Sequence, residues 1–246
     1  MFVRLSLLYA LILSVILPVT AHASTSQEEL KYARLIMFRA SADLISHRGD
    51  RIDAALQETI KNHHIRLKGL LSTALSSDDS EKLSTALDSY LTIAEDALAY
   101  DPREIDYYWE FNLNFSNAMY ELDKQIILQE AKATPSNPDT EDLLEHAVRL
   151  EFLATRYASR AYMSPLHTRS KEGYFGMDLQ ILAENTEEIF NSSAFNENNK
   201  AYRFWQFIKS RYLDYELQLA PMIVVRNSRK ITDWIFADEG ISAEAG

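Results

Sequence analysis

The chain has 246 residues, with 47% hydrophobic and 25% charged side chains, a composition that supports a packed core and not disorder. It contains no Cys and only 6 Gly and 6 Pro, which excludes disulfide frameworks, thiolate-ligated metal or iron–sulfur sites, thiol catalysis and lipid-modified Cys. Acidic residues outnumber basic ones 36 to 25, for a formal charge of −11. Such a surface repels phosphate backbones, so nucleic acid is not an expected partner.

Residues 1–23 carry one cation at Arg4, an apolar run from Leu5 to about Val19, and the small–x–small ending Ala21-His22-Ala23. That order is the pattern of a secretory signal peptide, with Pro18 breaking the chain before the cleavage site. An uncleaved anchor is the alternative, since about 17 apolar residues is the shortest stretch that spans a bilayer. Both place the domain outside the cytoplasm, and the expected compartment is the periplasm. The most apolar later piece, Ala220 to Val225, is far too short to span, so no membrane span is expected once the signal is removed.

The rest of the chain shows helical period nearly throughout. Leu30, Ala33, Met37, Ala40 and Leu44 form one stripe of a first helix, and Gly49 is expected to punctuate it. A second helix carries Ile52, Leu56, Ile60, His63, Leu67, Leu70 and Ala74 on its seam, which turns His63 inward and the adjacent His64 to solvent. After the polar turn 76–80, a third follows with Leu83, Leu87, Leu91, Ala94 and Leu98. Asp101-Pro102-Arg103-Glu104 has the parts of a helix start: an N-cap, Pro at the first helical position and Glu at the third. The fourth helix buries Tyr108, Phe111, Phe115, Met119, Leu122 and Ile126.

Thr134-Pro135-Ser136-Asn137-Pro138 reads as a linker, because two prolines so placed do not extend a helix. Beyond it Leu143, Ala147, Leu150, Ala154, Tyr157 and Ala161 mark a fifth helix ended by Ser164-Pro165, and Phe175, Leu179, Leu182 and Ile189 a sixth segment. A last part runs through Phe204, Ile208, Tyr212, Tyr215 and Leu219, meets Pro221, and resumes through Ile223, Arg226, Lys230 and Trp234. Pro221 either kinks one long helix or begins a new one. No period-two run is present, so the expected fold is all-α: an elongated antiparallel helical bundle, organised as signal 1–23, N-terminal half 24–133, linker 134–138 and C-terminal half 139–246. Arg34 to Phe38 matches Arg149 to Leu153, and Pro102 matches Pro221, at offsets of about 115 and 119. Two related four-helix halves and one single bundle both satisfy this pattern.

Catalytic and metal signatures are missing from the sequence. No Glu-x-x-His pair supports a di-iron centre, no His-Glu-x-x-His a zinc protease, and no Gly-x-Ser-x-Gly or Gly-rich phosphate loop a nucleophile or nucleotide site. Asp43 with His47 and Asp142 with His146 stand four apart and read as solvent-exposed pairs supporting their helices. No catalytic residue, cofactor or metal is therefore expected, and the aromatic faces Tyr107 to Phe115 and Tyr202 to Tyr215 are assigned to core packing. Arg149, Arg156 and Arg160 recur at steps of seven and four on one side of the fifth helix. Three guanidinium groups on one face can clamp a small anion; ion pairing, with Glu145 four before Arg149, is the other use of the same residues. Arg226, Arg229 and Lys230 make a second basic cluster, attributable to a helix C-terminal dipole.

The stretch Leu150 to Tyr162, followed by Trp205-Gln206-Phe207-Ile208-Lys209 and by Pro221 to Ile231, resembles the extracytoplasmic N-terminal domain of type IV pili chemotaxis transducers. In that family an Arg/Gln-rich Leu–x–x–Arg helix precedes a Trp-aromatic helix and a Val–x–x–Ser–x–x–Ile helix in a repeated four-helix bundle. Here Ala154-Thr155-Arg156 stands where Ser-Gln-Arg is the family pattern, and a second membrane segment and the signalling coiled coil are missing. The resemblance implies a free periplasmic, non-enzymatic sensory or binding bundle, its partner a small anionic ligand at Arg149, Arg156 and Arg160 or a periplasmic protein. A helical periplasmic cell-wall hydrolase is the alternative function.

Overall fold

The computed structural model describes residues 25–50, 54–76, 80–99, 107–133, 138–163, 166, 172–191, 200–213 and 219–238. The signal segment, the Asp101–Glu104 helix start and linker residues 134–137 lie outside the described residues. Every element is helical: α1 Gln27–Asp50, α2 Ala54–Leu75, α3 Glu81–Ala99, α4 Tyr107–Glu130, α5 Pro138–Tyr162, the single turn α6 Gly173–Gly176, α7 Leu179–Phe190, α8 Lys200–Leu213 and α9 Pro221–Asp238. The all-α fold is thus as the periodicity requires. Among the described residues no helix is long and apolar enough to cross a membrane.

The starts of α1 and α7 are locally encoded. Ser26 Oγ accepts from the Glu29 amide at 3.1 Å while Glu29 Oε2 accepts from the Ser26 amide at 3.1 Å, a reciprocal capping box at the head of α1. Asp178 caps α7 by accepting from the Gln180 amide at 2.8 Å. Pro221 begins α9 as its first residue, eight positions after α8 ends, so it starts a helix instead of kinking one. Pro138, counted with the linker by its sequence, is likewise the first residue of α5.

Packing follows a simple plan. In the N-terminal half α1 lies on α2 and α4, and α3 on α4; in the C-terminal half α5 lies on α9 and α7, and α8 on α9 and α7. The most extensive interface of all joins α1 to α5, and α9 also touches α1, so one continuous core runs through both halves. Each half has a buried tyrosine on its third long helix: Tyr90 meets Ser41 Oγ at 2.9 Å and Tyr212 meets Ser228 Oγ at 2.8 Å.

Helix α1 departs furthest from the expected stripe. Leu30, Ala33, Met37, Ala40 and Leu44 are buried, but so is every residue from Leu30 to Arg48. A helix surrounded by α2, α4, α5 and α9 has no solvent side, and its charged residues become internal. Asp43 and His47, expected on the surface, are both buried. Gly49 does not end the helix. It sits where α1 meets α5, and a Cβ there would collide with the Tyr162 ring, which is why the position tolerates no side chain.

Two other seams are turned relative to expectation. In α2 the buried residues are Ile60, His64, Leu67, Leu71 and Ala74, so His64 is the packed histidine. His63 stays half-buried because its Nε2 lies 3.5 Å from Asp43 Oδ2 across the α1–α2 contact. In α9 the core stripe is Val224, Ser228, Ile231 and Ile235, leaving Ile223, Arg226 and Lys230 exposed.

His64 packs edge-on against Tyr90 with ring centroids 5.9 Å apart. Burial, helped by the charges of His63 and Lys68, pushes its imidazole down to about 4. Its stabilising contribution is therefore full above the unfolded value near 6.5 and is lost as pH falls from there toward 4, where the unfolded chain binds a proton that the folded one does not. Over that window the loss is about 3 kcal/mol. His64→Leu should remove this share of the acid destabilisation; urea midpoints of both proteins at pH 7.5, 5.5 and 4.5 check it, and parallel declines would refute it.

Candidate functional site

The charges on α1 form a ladder of pairs to the surrounding helices. Arg39 Nε donates to Glu151 Oε1 of α5 at 2.8 Å and its Nη2 to Asp233 Oδ1 of α9 at 2.7 Å, while Thr232 Oγ1 donates to Glu151 Oε1 at 2.6 Å. One helical turn on, Asp43 Oδ1 accepts from Arg229 Nη2 of α9 at 2.9 Å. Burial alone would raise the Asp43 carboxyl, but Arg229 and the neighbouring His63 outweigh it and hold it below the usual range. Arg48, fully buried, donates to the Ala97 carbonyl of α3 at 3.0 Å and lies 4.7 Å over the Phe111 ring of α4. These rungs tie α1 to α2, α3, α5 and α9.

The rung at Arg34 opens into a cleft. Arg34 Nε donates to Asp123 Oδ1 of α4 at 2.7 Å and Nη1 to Glu145 Oε2 of α5 at 3.3 Å, with Glu130 Oε2 at 3.7 Å. Burial alone would lower the Arg34 guanidinium, yet Asp123 and Glu145 reverse that and hold it charged. Lys31 Nζ adds contacts to Glu130 at 3.5 Å and Glu145 at 4.0 Å. Around these groups lies a cavity of about 460 Å³, walled also by Tyr120, Lys124, Glu172, Tyr174 and Phe175.

Segment 172–178 crosses α5 and forms the cleft's rim. Gly173 allows the turn through its positive φ of 56°. Tyr174 donates its hydroxyl to Glu145, and Tyr120 donates to Glu172 Oε2 at 2.8 Å. Phe175 and Tyr174 pack on Phe152 of α5, with centroids 4.7 and 5.7 Å apart. For Glu145, burial is outweighed by Arg34, the Tyr174 hydroxyl, Lys31 and Arg149, so the carboxyl stays low. For Glu130 burial prevails over Arg34 and Lys31 and pushes its carboxyl up. Glu130 Oε2 is buried and accepts no hydrogen bond among the described residues.

Of the three arginines singled out by sequence, two are placed under this rim. Arg149 lies 5.6 Å from the Tyr174 ring centroid and helps depress Glu145. Arg156 donates to the Met177 carbonyl, and to the Tyr174 carbonyl at 3.5 Å, holding the crossing segment. Arg160 is half-buried near the end of α5. Arg149 and Arg156 are thus brought to one segment, where the Tyr174 and Met177 carbonyls and Glu145 of α5 supply the counter-charge that an anionic ligand would otherwise bring. The second basic cluster is divided and sits in the middle of α9, away from its C-terminus: Arg229 faces Asp43, whereas Arg226 and Lys230 are exposed.

Sequence reasoning missed Arg34, Glu130, Glu145 and Tyr174 as a group. The available signal was the run Leu35-Ile36-Met37-Phe38, apolar on successive faces of a helix, which marks burial on all sides and makes the flanking Arg34 and Arg39 internal. Among the described residues no group of three or more His, Asp or Glu side chains is placed to hold a metal ion. The chain matches no family model, no curated protein and no solved structure.

Proposed function

We propose that this chain is an exported, non-enzymatic binding module of the sensory kind, comparable to the transducer domain that its C-terminal half resembles, and that the Arg34 cleft takes a small amine-bearing ligand. What carries the reading is the cleft's charge: Asp123, Glu130, Glu145 and Glu172 line it against Arg34 and Lys124, beside three aromatic rings. Carboxylates next to aromatic faces suit an ammonium group, and the Glu130 oxygen without a hydrogen bond gives it an acceptor. The position at the α1–α5 contact supports a sensory role, because a ligand there touches helices from both halves.

Calorimetric titration of the full chain with putrescine and choline, and with citrate as the anionic counterpart, tests this. Binding of either amine, weakened about tenfold or more in a folded Glu130→Gln variant, is the expected result. Citrate binding without amine binding would overturn it and return the site to the Arg149, Arg156 and Arg160 anion clamp. Release of products from peptidoglycan by the purified chain would overturn the non-enzymatic assignment in favour of a hydrolase.

A further inference from the structure

The outer face of the α8–α9 pair differs in charge from the rest of this acidic chain. Helix α8 has four basic residues and no acidic one, and Asp233 of α9, the first acid of that helix, is engaged by Arg39. The exposed positions run Lys200, Arg203, Phe207, Ser210 and Leu213 along α8, and Leu219, Met222, Ile223, Arg226 and Lys230 into and along α9. No carboxylate occurs among these positions of the described residues. Phe207 is 63% exposed and Ile223 47%, and neither is accounted for by core packing.

The two stripes adjoin. Phe204 and Trp234 meet edge to face at 4.7 Å, Lys230 Nζ lies 5.4 Å from the Phe204 ring and Lys200 Nζ 5.8 Å from the Trp234 ring. A shallow groove of about 560 Å³ holds Lys200, Arg203, Phe204, Phe207, Asn227 and Trp234 together. Ile223 stands one turn before Asn227 on the same side of α9. Toward the connection between the helices the exposed side chains become aliphatic, at Leu213, Leu219, Met222 and Ile223.

We infer that this face docks on an anionic phospholipid bilayer surface. Cations interspersed with aromatic and aliphatic side chains on exposed helix faces are the composition of an interfacial element, which adds apolar insertion to attraction for anionic headgroups. The charge of the remaining chain favours this orientation: at −11 overall the protein is repelled by an anionic membrane on average, so a cationic face is the one that approaches it. A peptide would fill the groove, but it would leave the aliphatic end beyond it uncovered, whereas a bilayer covers both. Peripheral docking needs no spanning helix and is independent of the cleft's ligand.

Co-sedimentation of the full chain with phosphatidylglycerol-containing vesicles and with phosphatidylcholine vesicles tests this. The apolar N-terminal segment is common to all arms, so the difference between lipids and between variants is what is read. At low salt the expected preference for the anionic vesicles is about tenfold or more, lost at 0.5 M salt and in the triple variant Arg203→Gln/Arg226→Gln/Lys230→Gln. The double variant Phe207→Ala/Ile223→Ala should weaken anionic-vesicle binding several-fold with salt held constant. All these positions are exposed, and unchanged circular dichroism and melting temperature confirm that the variants fold. Equal binding to the two lipids, or a folded triple variant that binds as the parent does, overturns the inference. Retention on polyglutamate beads as strong as on anionic vesicles, with no effect of the double variant on either, assigns the face to an acidic polypeptide and also overturns it.

Discussion

Replacing Arg39 with Met should destabilise the protein by about 3–5 kcal/mol, more than most single substitutions can. The cause is less the lost attraction than what is left behind. Glu151 is fully buried, and with the guanidinium gone its carboxylate keeps only the Thr232 hydrogen bond at Oε1 and the charge of Arg229, which makes no hydrogen bond to it, in a site too dry to hold a poorly paired charge. Glu151→Met should likewise cost several kcal/mol, because it leaves the buried guanidinium with Asp233, which is partly exposed, and Thr232. The double variant Arg39→Met/Glu151→Met should be more stable than either single one, since two flexible apolar chains fill similar volume and leave no buried charge from this pair. Urea unfolding of all four proteins checks it; a double variant whose loss equals the sum of the single losses would show that the pair stabilises in its own right. The ladder's value is then register. Arg39, Asp43 and Arg48 meet partners on different helices at successive turns, and sliding α1 by one turn would leave each of these charges without its partner.

How far the fold was legible follows from how many sides of each helix are buried. Helices α3 and α4 bury one face, and of the expected stripes, Leu83, Leu87, Leu91 and Ala94, and Phe111, Phe115, Met119, Leu122 and Ile126, are buried as read, while Leu98 is half-buried and the Tyr108 side chain lies outside the described residues. In α1 the stripe was right but incomplete, because five residues of one face carry no information about the other faces of a central helix. In α9 two stripes have helical spacing, Ile223 to Trp234 and Val224 to Ile235, and the period cannot choose between them. Packing of Val224, Ser228, Ile231 and Ile235 against α5 and α8 decides it. The His63 and His64 pair turned on the same ambiguity, resolved by Asp43 on a neighbouring helix. The cleft was the least legible feature. Its acids come from α4, α5 and residue 172, and its central cation from α1; no local pattern records an assembly made by tertiary contact. The arginines of α5 were visible as a face, and the segment that covers two of them was not.

Phe152→Ala should produce the other large loss, about 3–5 kcal/mol, together with a local effect that links the core to the cleft. Phe152 is fully buried on α5, and its ring meets Phe38 of α1 at 5.0 Å and Tyr174 and Phe175 at 5.7 and 4.7 Å, with Phe38 and Phe175 themselves 6.4 Å apart. The same ring thus joins the α1–α5 interface to the rim of the cleft. Removing it opens a cavity that the helices cannot close, since Phe38 is held in turn by a helix packed on all sides. The short α6 turn has little of its own to fix it: four residues, no side-chain cap hydrogen bond, and Arg156 on the carbonyls of residues 174 and 177. Amide hydrogen exchange should therefore rise across residues 173–177 by more than the global loss of stability accounts for. Phe152→Leu separates the two effects, because it returns most of the volume, and with it most of the stability, without restoring the flat face on which Tyr174 stacks. Its global loss should fall to about 1–2 kcal/mol while exchange at 173–177 stays elevated. Exchange there that follows global stability in both variants would show that α6 is held by Arg156, Glu145 and the contacts of Phe175 with Phe38 and Tyr120, and that the Phe152 ring has no part in shaping the cleft.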